Sequence, residues 1–143
     1  MLTLVLLVAL VFAFAIEAWA AGSLDPSARL LFALGGSSRD GVVAGEWFRL
    51  LTATLLHGGV VHLLCNGIAL YVGGMYVEAF VGKRWMFAIY TFSGITGSLL
   101  GLAINDASIV SVGASGAIMG VLAAGSHSDP IAHSFCNTRR RSR

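Results

Sequence analysis

Four apolar stretches dominate the chain, and short polar or glycine-rich segments separate them. They cover residues 1–20, about 54–77, about 85–104 and about 109–125. Each of the first three is long enough for a helix that crosses the roughly 30 Å hydrocarbon core of a bilayer. A helix from Ser115 to Gly125 would rise only about 16 Å before polar residues begin. The pattern therefore predicts three complete membrane spans and a partial fourth.

The composition is that of a membrane protein. Hydrophobic residues make up 57% of the 143 residues and charged residues only 11%, whereas soluble domains carry about a quarter charged residues. The net charge of +2 is small and the basic residues cluster at the C-terminus, which argues against nucleic-acid binding. We predict an all-α, polytopic helix bundle in the lipid bilayer, formed by residues 1–125. The polar, basic tail at 126–143 is predicted to be disordered.

The first apolar stretch also has features of a cleaved signal peptide, since Ala18-Trp19-Ala20 resembles a signal-peptidase site. A signal peptide needs a basic region before its apolar core, however, and no lysine or arginine precedes this one. We therefore favour a retained transmembrane helix at residues 1–20.

The segment at 21–53 is predicted to be a loop with short structured pieces. Asp25-Pro26 is typical of a helix start, and the apolar patch at 30–34 that follows is too short to span a bilayer. If the spans alternate, Lys83, Arg84 and the C-terminal arginines fall on the side opposite this loop. The positive-inside rule makes that side, with the N-terminus and the basic tail, cytoplasmic.

Polar side chains interrupt the second apolar stretch. His62 and Asn66 are four residues apart and project from one helical face, and His57 lies five residues before His62. Polar side chains at membrane depth often mark function, but hydrogen bonds between helices would also explain them.

A serine between small residues, in Gly113-Ala114-Ser115-Gly116, opens the last apolar stretch. It could be a nucleophile or packing material, because Gly116 and Gly120 also have the GxxxG spacing of close helix pairs, as do Gly97 and Gly101. The two cysteines form neither a disulfide framework nor a metal-ligand pattern. Since serine chemistry needs neither metal nor cofactor, we expect none.

Several motifs follow one another in an order that is more specific than any one of them. They are Glu46-Trp47-Phe48-Arg49-Leu50-Leu51-Thr52, the HxxxxHxxxN run from His57 to Asn66, Gly73-Gly74, Glu78 and Gly113-Ala114-Ser115-Gly116. This arrangement, from about residue 30 to residue 125, resembles the rhomboid family of intramembrane serine proteases.

The resemblance implies roles for the residues around the serine. Ser115 matches the family nucleophile, at the start of the fourth core helix. His62 and Asn66 match the pair that helps the Ser115 backbone N–H to stabilise the oxyanion, and donors aimed at developing charge suit that role. His57 matches a preceding histidine with a structural or water-handling role.

Two further residues match supporting positions of the family. Arg49 matches the arginine of a Trp-Arg loop motif, although Phe48 stands at the tryptophan position and Trp47 lies one residue earlier. Glu78 matches a glutamate that ties loop and helix together.

The resemblance also implies a general-base histidine on a sixth core helix, which the chain lacks. His133, in Asp129-Pro130-Ile131-Ala132-His133, is only a weak match for that base, and His127 is no better. The predicted topology places His133 on the cytoplasmic side, across the membrane from Ser115. We expect the sequence to be interrupted within its fourth helix, by a frameshift, a mis-splice or a gene-model truncation.

Three functions remain open from the sequence. The first is an intramembrane serine endopeptidase of the rhomboid type, which cleaves transmembrane segments of membrane proteins. The second is a catalytically inactive rhomboid fragment or pseudoprotease that only binds membrane helices. The third is an unrelated small membrane packing protein. No sequence feature indicates an oligomeric state.

Overall fold

The computed structural model of the chain describes residues 1–126, which form helices joined by short connections. In chain order these are α1 (Leu2–Ala21), α2 (Ala28–Ala33), α3 (Arg39–Val43), α4 (Arg49–Thr52), α5 (Val60–Ile104) and α6 (Ser115–Ser126). Within this part of the chain the one strand-like pairing is an isolated bridge between Ser37 and Ser111. The described residues are therefore all-α, as predicted. The tail predicted to be disordered lies outside them, except for Ser126.

α5 is a helical hairpin, because its backbone breaks at Gly82 with φ 80° and ψ 162°. Glycine adopts this conformation without the penalty that a Cβ brings. The two halves, a first arm at 60–81 and a second arm at 83–104, run back along each other, and a Cβ on Gly74 would lie 3.2 Å from Met86 Cε. The break lies between the second and third apolar stretches of the sequence, at about 54–77 and about 85–104. The first arm begins at Val60, later than the predicted residue 54, because Gly59 before it has φ 147°.

α6 packs against both arms of α5, and glycines let it approach the second arm closely. A Cβ on Gly97 would lie 2.7 Å from Cα of Gly116, and one on Gly116 would lie 2.9 Å from Cα of Gly97. Close backbone approach of this kind is what small residues permit in membrane helix pairs. The buried core on the other side of α6 contains Leu70, Val77, Met86, Tyr90, Ala117, Ile118 and Val121.

α1 runs antiparallel to the first arm, and an acidic side chain of that arm contacts its first residues. Near its start, Glu78 of the first arm accepts hydrogen bonds from the N–H groups of Leu2 (2.7 Å) and Thr3 (2.8 Å) and from the Thr3 hydroxyl (2.7 Å). The family resemblance implied instead that Glu78 ties a loop to a helix. The free N–H groups of a helix N-terminus attract a carboxylate, so Glu78 joins two helices here.

Residues 22–59 form a loop that covers one end of the bundle. α2 begins after Ser27, whose hydroxyl accepts the Leu30 N–H at 3.3 Å. The predicted helix start at Asp25-Pro26 was therefore wrong by two residues, because the serine caps equally well. α2, α3 and α4 are each too short to cross a membrane.

The outward faces of the two long helices are apolar. Val8, Trp19 and Trp85 are 68%, 85% and 69% exposed, respectively. Within residues 1–126, α1 and α5 are the helices long and apolar enough to cross a membrane. Such large exposed apolar faces suit contact with lipid, whereas the core helices of a soluble protein bury theirs.

Candidate active site

Ser115 is the first residue of α6, and its side chain is exposed. It borders an open cavity of about 360 Å³ between residues 109–113 and the second arm of α5. The first hydrogen bond along α6 runs from Ile118 N–H to Ala114 O at 2.9 Å. The N–H groups of the first turn, residues 115–117, therefore have no acceptor inside the helix. Negative charge on an oxygen placed here would be favoured by those donors and by the helix dipole.

Gly113 brings the first arm of α5 against the turn that precedes Ser115. Its φ of 119° suits glycine, and a Cβ at this position would lie 2.5 Å from Cε1 and 2.8 Å from Nε2 of His62. The same Cβ would lie 3.6 Å from Nδ2 of Asn66. The Gly113 N–H donates to Ala53 O at 2.8 Å, which anchors the turn to the loop end of the bundle. His62 and Asn66 thus lie beside the Gly113–Ser115 turn.

A short hydrogen-bond chain orients Asn66. Nδ1 of His57 lies 3.2 Å from the Leu55 carbonyl oxygen, and Nε2 of His57 lies 3.1 Å from Nδ2 of Asn66. A carbonyl oxygen can only accept, so Nδ1 carries the proton and Nε2 accepts from Asn66. Burial, and to a smaller extent the neighbouring His62, lowers the pKa of His57 to about 4, so the ring is neutral at pH 7.

The His57 and His62 rings meet edge to face. Their centroids are 5.2 Å apart and the ring planes are inclined by 66°. His57 is fully buried, whereas His62 is partly exposed toward the Ser115 turn. Of the two imidazoles, His62 is therefore the more accessible one beside the turn that precedes Ser115.

Glu17 of α1 contacts His57, the first residue of the hydrogen-bond chain described above. Its Oε2 accepts the His57 N–H at 2.9 Å across 40 residues of sequence. In the sequence, Glu17 is the one charged residue of the apolar stretch at 1–20. An ionisable side chain inside a membrane span is itself a signal of function, and it could have drawn attention to this residue.

Arg49 organises the loop above the site. Its buried guanidinium forms an ion pair with Glu46 Oε2 at 2.6 Å and donates to the carbonyls of Phe32 (2.5 Å) and Gly36 (3.1 Å). It also lies 3.9 Å from the Phe32 ring centroid and 5.3 Å from that of Phe48. Phe48 therefore contributes an aromatic ring at the position where the family motif has tryptophan.

A second connection joins the loop to the segment before Ser115. The N–H of Ser37 donates to Ser111 O at 3.0 Å, and the N–H of Ser111 donates to Ser37 O at 2.7 Å. Arg39 adds hydrogen bonds to Leu102 O (2.6 Å) and Asn105 O (2.8 Å) at the end of the second arm. No sequence pattern indicated this bridge, because it pairs two serines 74 residues apart.

The predicted site residues divide into those that meet and those that do not. The loop end of the bundle brings together His57, His62, Asn66 and Ser115, and Arg49 lies in the loop. Glu78 is apart from them, in the first arm of α5 where that arm contacts the start of α1. In the part of the chain that the structure describes, no hydrogen bond reaches the Ser115 hydroxyl, and no group of three His, Cys, Asp or Glu side chains could hold a metal ion. His127 and His133 lie outside the described residues.

Comparison with known proteins decides the family. A model of the Rhomboid domain matches residues 44–136, more than half of the chain. The chain belongs to the rhomboid family. The match agrees with the resemblance seen in the sequence. Family membership and the long apolar helices α1 and α5 together indicate an integral membrane protein.

Rhomboid relatives from plants and bacteria match over most of the chain. RHOMBOID-like protein 5 of Arabidopsis thaliana is 43% identical over 71% of the chain, and the rhomboid protease GluP of Bacillus subtilis is 42% identical over 66%. The rhomboid protease AarA of Providencia stuartii is 34% identical over 73%. These matches span only 33%, 18% and 42% of the three relatives. No solved structure gives a significant match.

Proposed function

We propose that the chain carries the nucleophile and the oxyanion site of an intramembrane serine endopeptidase. The observation that supports this most is the position of Ser115, which begins α6 beside a glycine turn contacted by His62. A hydroxyl, free backbone donors and two donor side chains supply the nucleophile and the oxyanion donors of acyl transfer.

In the proposed reaction, the Ser115 Oγ attacks the carbonyl carbon of a peptide bond within a substrate's transmembrane segment. No imidazole or carboxylate among residues 1–126 is hydrogen-bonded to the Ser115 hydroxyl, so we assign its proton to a base outside these residues. That base takes the proton as the C–O bond forms and returns it to the leaving amine as the C–N bond breaks. The carbonyl oxygen becomes negative, and the Ser115 N–H, His62 and Asn66 donate to it. Water then hydrolyses the acyl-enzyme and regenerates the hydroxyl.

The His57–Asn66 hydrogen bond supports this role for Asn66. With one amide hydrogen directed to His57 Nε2, the side chain has a fixed orientation and its second hydrogen remains to be donated. Preorganised donors of this kind act without reorganising as the charge develops, and each is worth a few kcal/mol.

We further propose four membrane-inserted segments: α1, the two arms of α5 and, in part, α6. The site lies at the loop end of these helices, and Lys83 and Arg84 lie at the hairpin turn at the other end. The positive-inside rule then makes the turn, the N-terminus and the basic tail cytoplasmic and places the site toward the outer face.

The exposed Ser115 hydroxyl gives weight to a second candidate function. Among residues 1–126, His57 and His62 are the imidazoles near the site, and neither is hydrogen-bonded to Ser115. A rhomboid relative without a base at the serine would bind transmembrane helices and not cut them.

Cleavage of a model transmembrane substrate in proteoliposomes tests the proposal. The full 143-residue chain is compared with its Ser115→Ala variant and with Ser108→Ala, an exposed serine outside the helices that serves as the matched control. We expect cleavage by the wild type and by Ser108→Ala, and its loss in Ser115→Ala. If the wild type crosslinks the substrate without cutting it, the helix-binding function replaces the protease. Equal cleavage by all three chains would refute a nucleophilic Ser115.

A further inference from the structure

Glu17 is a buried acidic side chain that no catalytic step above uses. It is fully inaccessible to solvent within α1, and its Oε1 has no hydrogen-bond partner. Its Oε2 accepts one hydrogen bond, from the backbone N–H of His57. Within residues 1–126 the one carboxylate that forms an ion pair is Glu46, with Arg49.

Glu17 is a poor choice for stability alone. A carboxyl group taken out of water loses hydration that one hydrogen bond does not replace, and an apolar side chain of similar size would fill the same space at less cost. Ionisable residues at membrane depth are therefore expected to have a function and a partner. Here the partner is the N–H of a residue that contacts the candidate site.

The contacts continue from Glu17 to the site in two steps. Glu17 Oε2 holds the backbone of His57, and Nε2 of His57 then accepts from Nδ2 of Asn66. The His57 ring also packs against His62, which contacts the turn before Ser115. A shift of the residue 55–58 turn would therefore move both oxyanion side chains together.

We propose that Glu17 is a positioning residue for the oxyanion site, acting through the His57 backbone on Asn66 and His62. This inference rests on the proposed function. It assigns α1, which the family match at residues 44–136 does not include, a part in the chemistry of Ser115.

The kinetic test uses two substitutions at one position. Glu17→Gln keeps an oxygen that can accept the His57 N–H, whereas Glu17→Met keeps the size and loses the acceptor. We expect kcat for a transmembrane substrate to fall about tenfold or more in Glu17→Met, with KM within about twofold, and to recover most of this loss in Glu17→Gln.

Leu10→Ala is the control for a merely structural effect, since Leu10 is buried in the same helix and far from His57. We expect it to lower thermal stability and to leave kcat per folded molecule unchanged. If Glu17→Met keeps wild-type kcat while Ser115→Ala abolishes cleavage, the inference is wrong and the proposed function stands.

A second measurement tests the positioning role of Glu17 without a cleavage assay. In NMR spectra of the full chain in detergent micelles, Glu17→Met is expected to lose exchange protection of the His57 amide and to shift the side-chain NH2 signals of Asn66. Glu17→Gln is expected to preserve both. Unchanged signals in Glu17→Met overturn the inference, even if the wild type cleaves nothing and the proposed function has itself failed.

Discussion

Gly113 is the residue at which the histidine-bearing arm of α5 and the serine turn meet. Its positive φ and the closeness of His62 each exclude a side chain there. The i, i+4 spacing predicts that His62 and Asn66 share a face, because that relation is local. Both side chains lie beside Gly113, which follows His62 by 51 residues and Asn66 by 47. This contact depends on how α6 docks, so no local sequence pattern predicts it.

Substituting Gly113 separates backbone strain from collision with the site. In Gly113→Ala the new Cβ would overlap the His62 ring, so we expect turnover to fall about a hundredfold through misplacement of the donors. Gly45→Ala is the matched control, since Gly45 has φ 97° but open space where a Cβ would be. Steady-state kinetics of both variants should show a loss in Gly113→Ala only, and equal losses would contradict the role assigned to the contact.

Helix positions follow from the sequence better than helix ends do. The apolar stretches predict α1 and both arms of α5, and Gly82-Lys83-Arg84 predicts the hairpin turn. The start of the first arm was missed because Gly58 and Gly59 lie within an otherwise apolar stretch. The cap of α2 was missed because Asp25 and Ser27 are both good caps, and only the tertiary structure selects between them.

Because Gly97 and Gly116 are in close contact between the second arm and α6, we expect the stability of the fold to fall when alanine replaces Gly97. Gly97→Ala would place a Cβ 2.7 Å from Cα of Gly116, and we expect a loss of about 1–3 kcal/mol of stability from overpacking. Gly67→Ala is the control, because its Cβ would meet only Leu7 Cδ2 at 3.9 Å.

Thermal unfolding in detergent micelles measures both variants. Alanine is the better helix former, so Gly67→Ala is expected to be neutral or stabilising by about 0.5–1 kcal/mol. A Gly97→Ala variant as stable as Gly67→Ala would show that α6 does not pack against the second arm as described.

At the scale of the whole molecule, the bundle has a loop end that carries the site and a turn end that carries Lys83 and Arg84. Three connections hold the loop end together: the Ser37–Ser111 bridge, the Gly113–Ala53 hydrogen bond and the Arg39 contacts. Composition alone predicts the membrane environment, whereas these connections come from polar residues whose partners the sequence does not reveal.

The proposed orientation predicts which end of the helix bundle a membrane-impermeant reagent can reach from outside the cell. In a chain with Cys65→Ala and Cys136→Ala, we expect Ser108→Cys at the loop end to react with a membrane-impermeant maleimide in intact cells. Lys83→Cys at the turn end should react only after the membrane is opened. The reverse pattern would contradict the orientation while leaving the fold unchanged.

The central claim is that Ser115 is the nucleophile of an intramembrane protease. The most direct measurement is mass spectrometry of the membrane-embedded 143-residue chain after treatment with a fluorophosphonate, which phosphonylates activated serines. We predict a covalent adduct on Ser115 that is lost in Ser115→Ala and retained in Ser108→Ala. An absence of adduct on Ser115, in a preparation that still cleaves a transmembrane substrate, would contradict the claim.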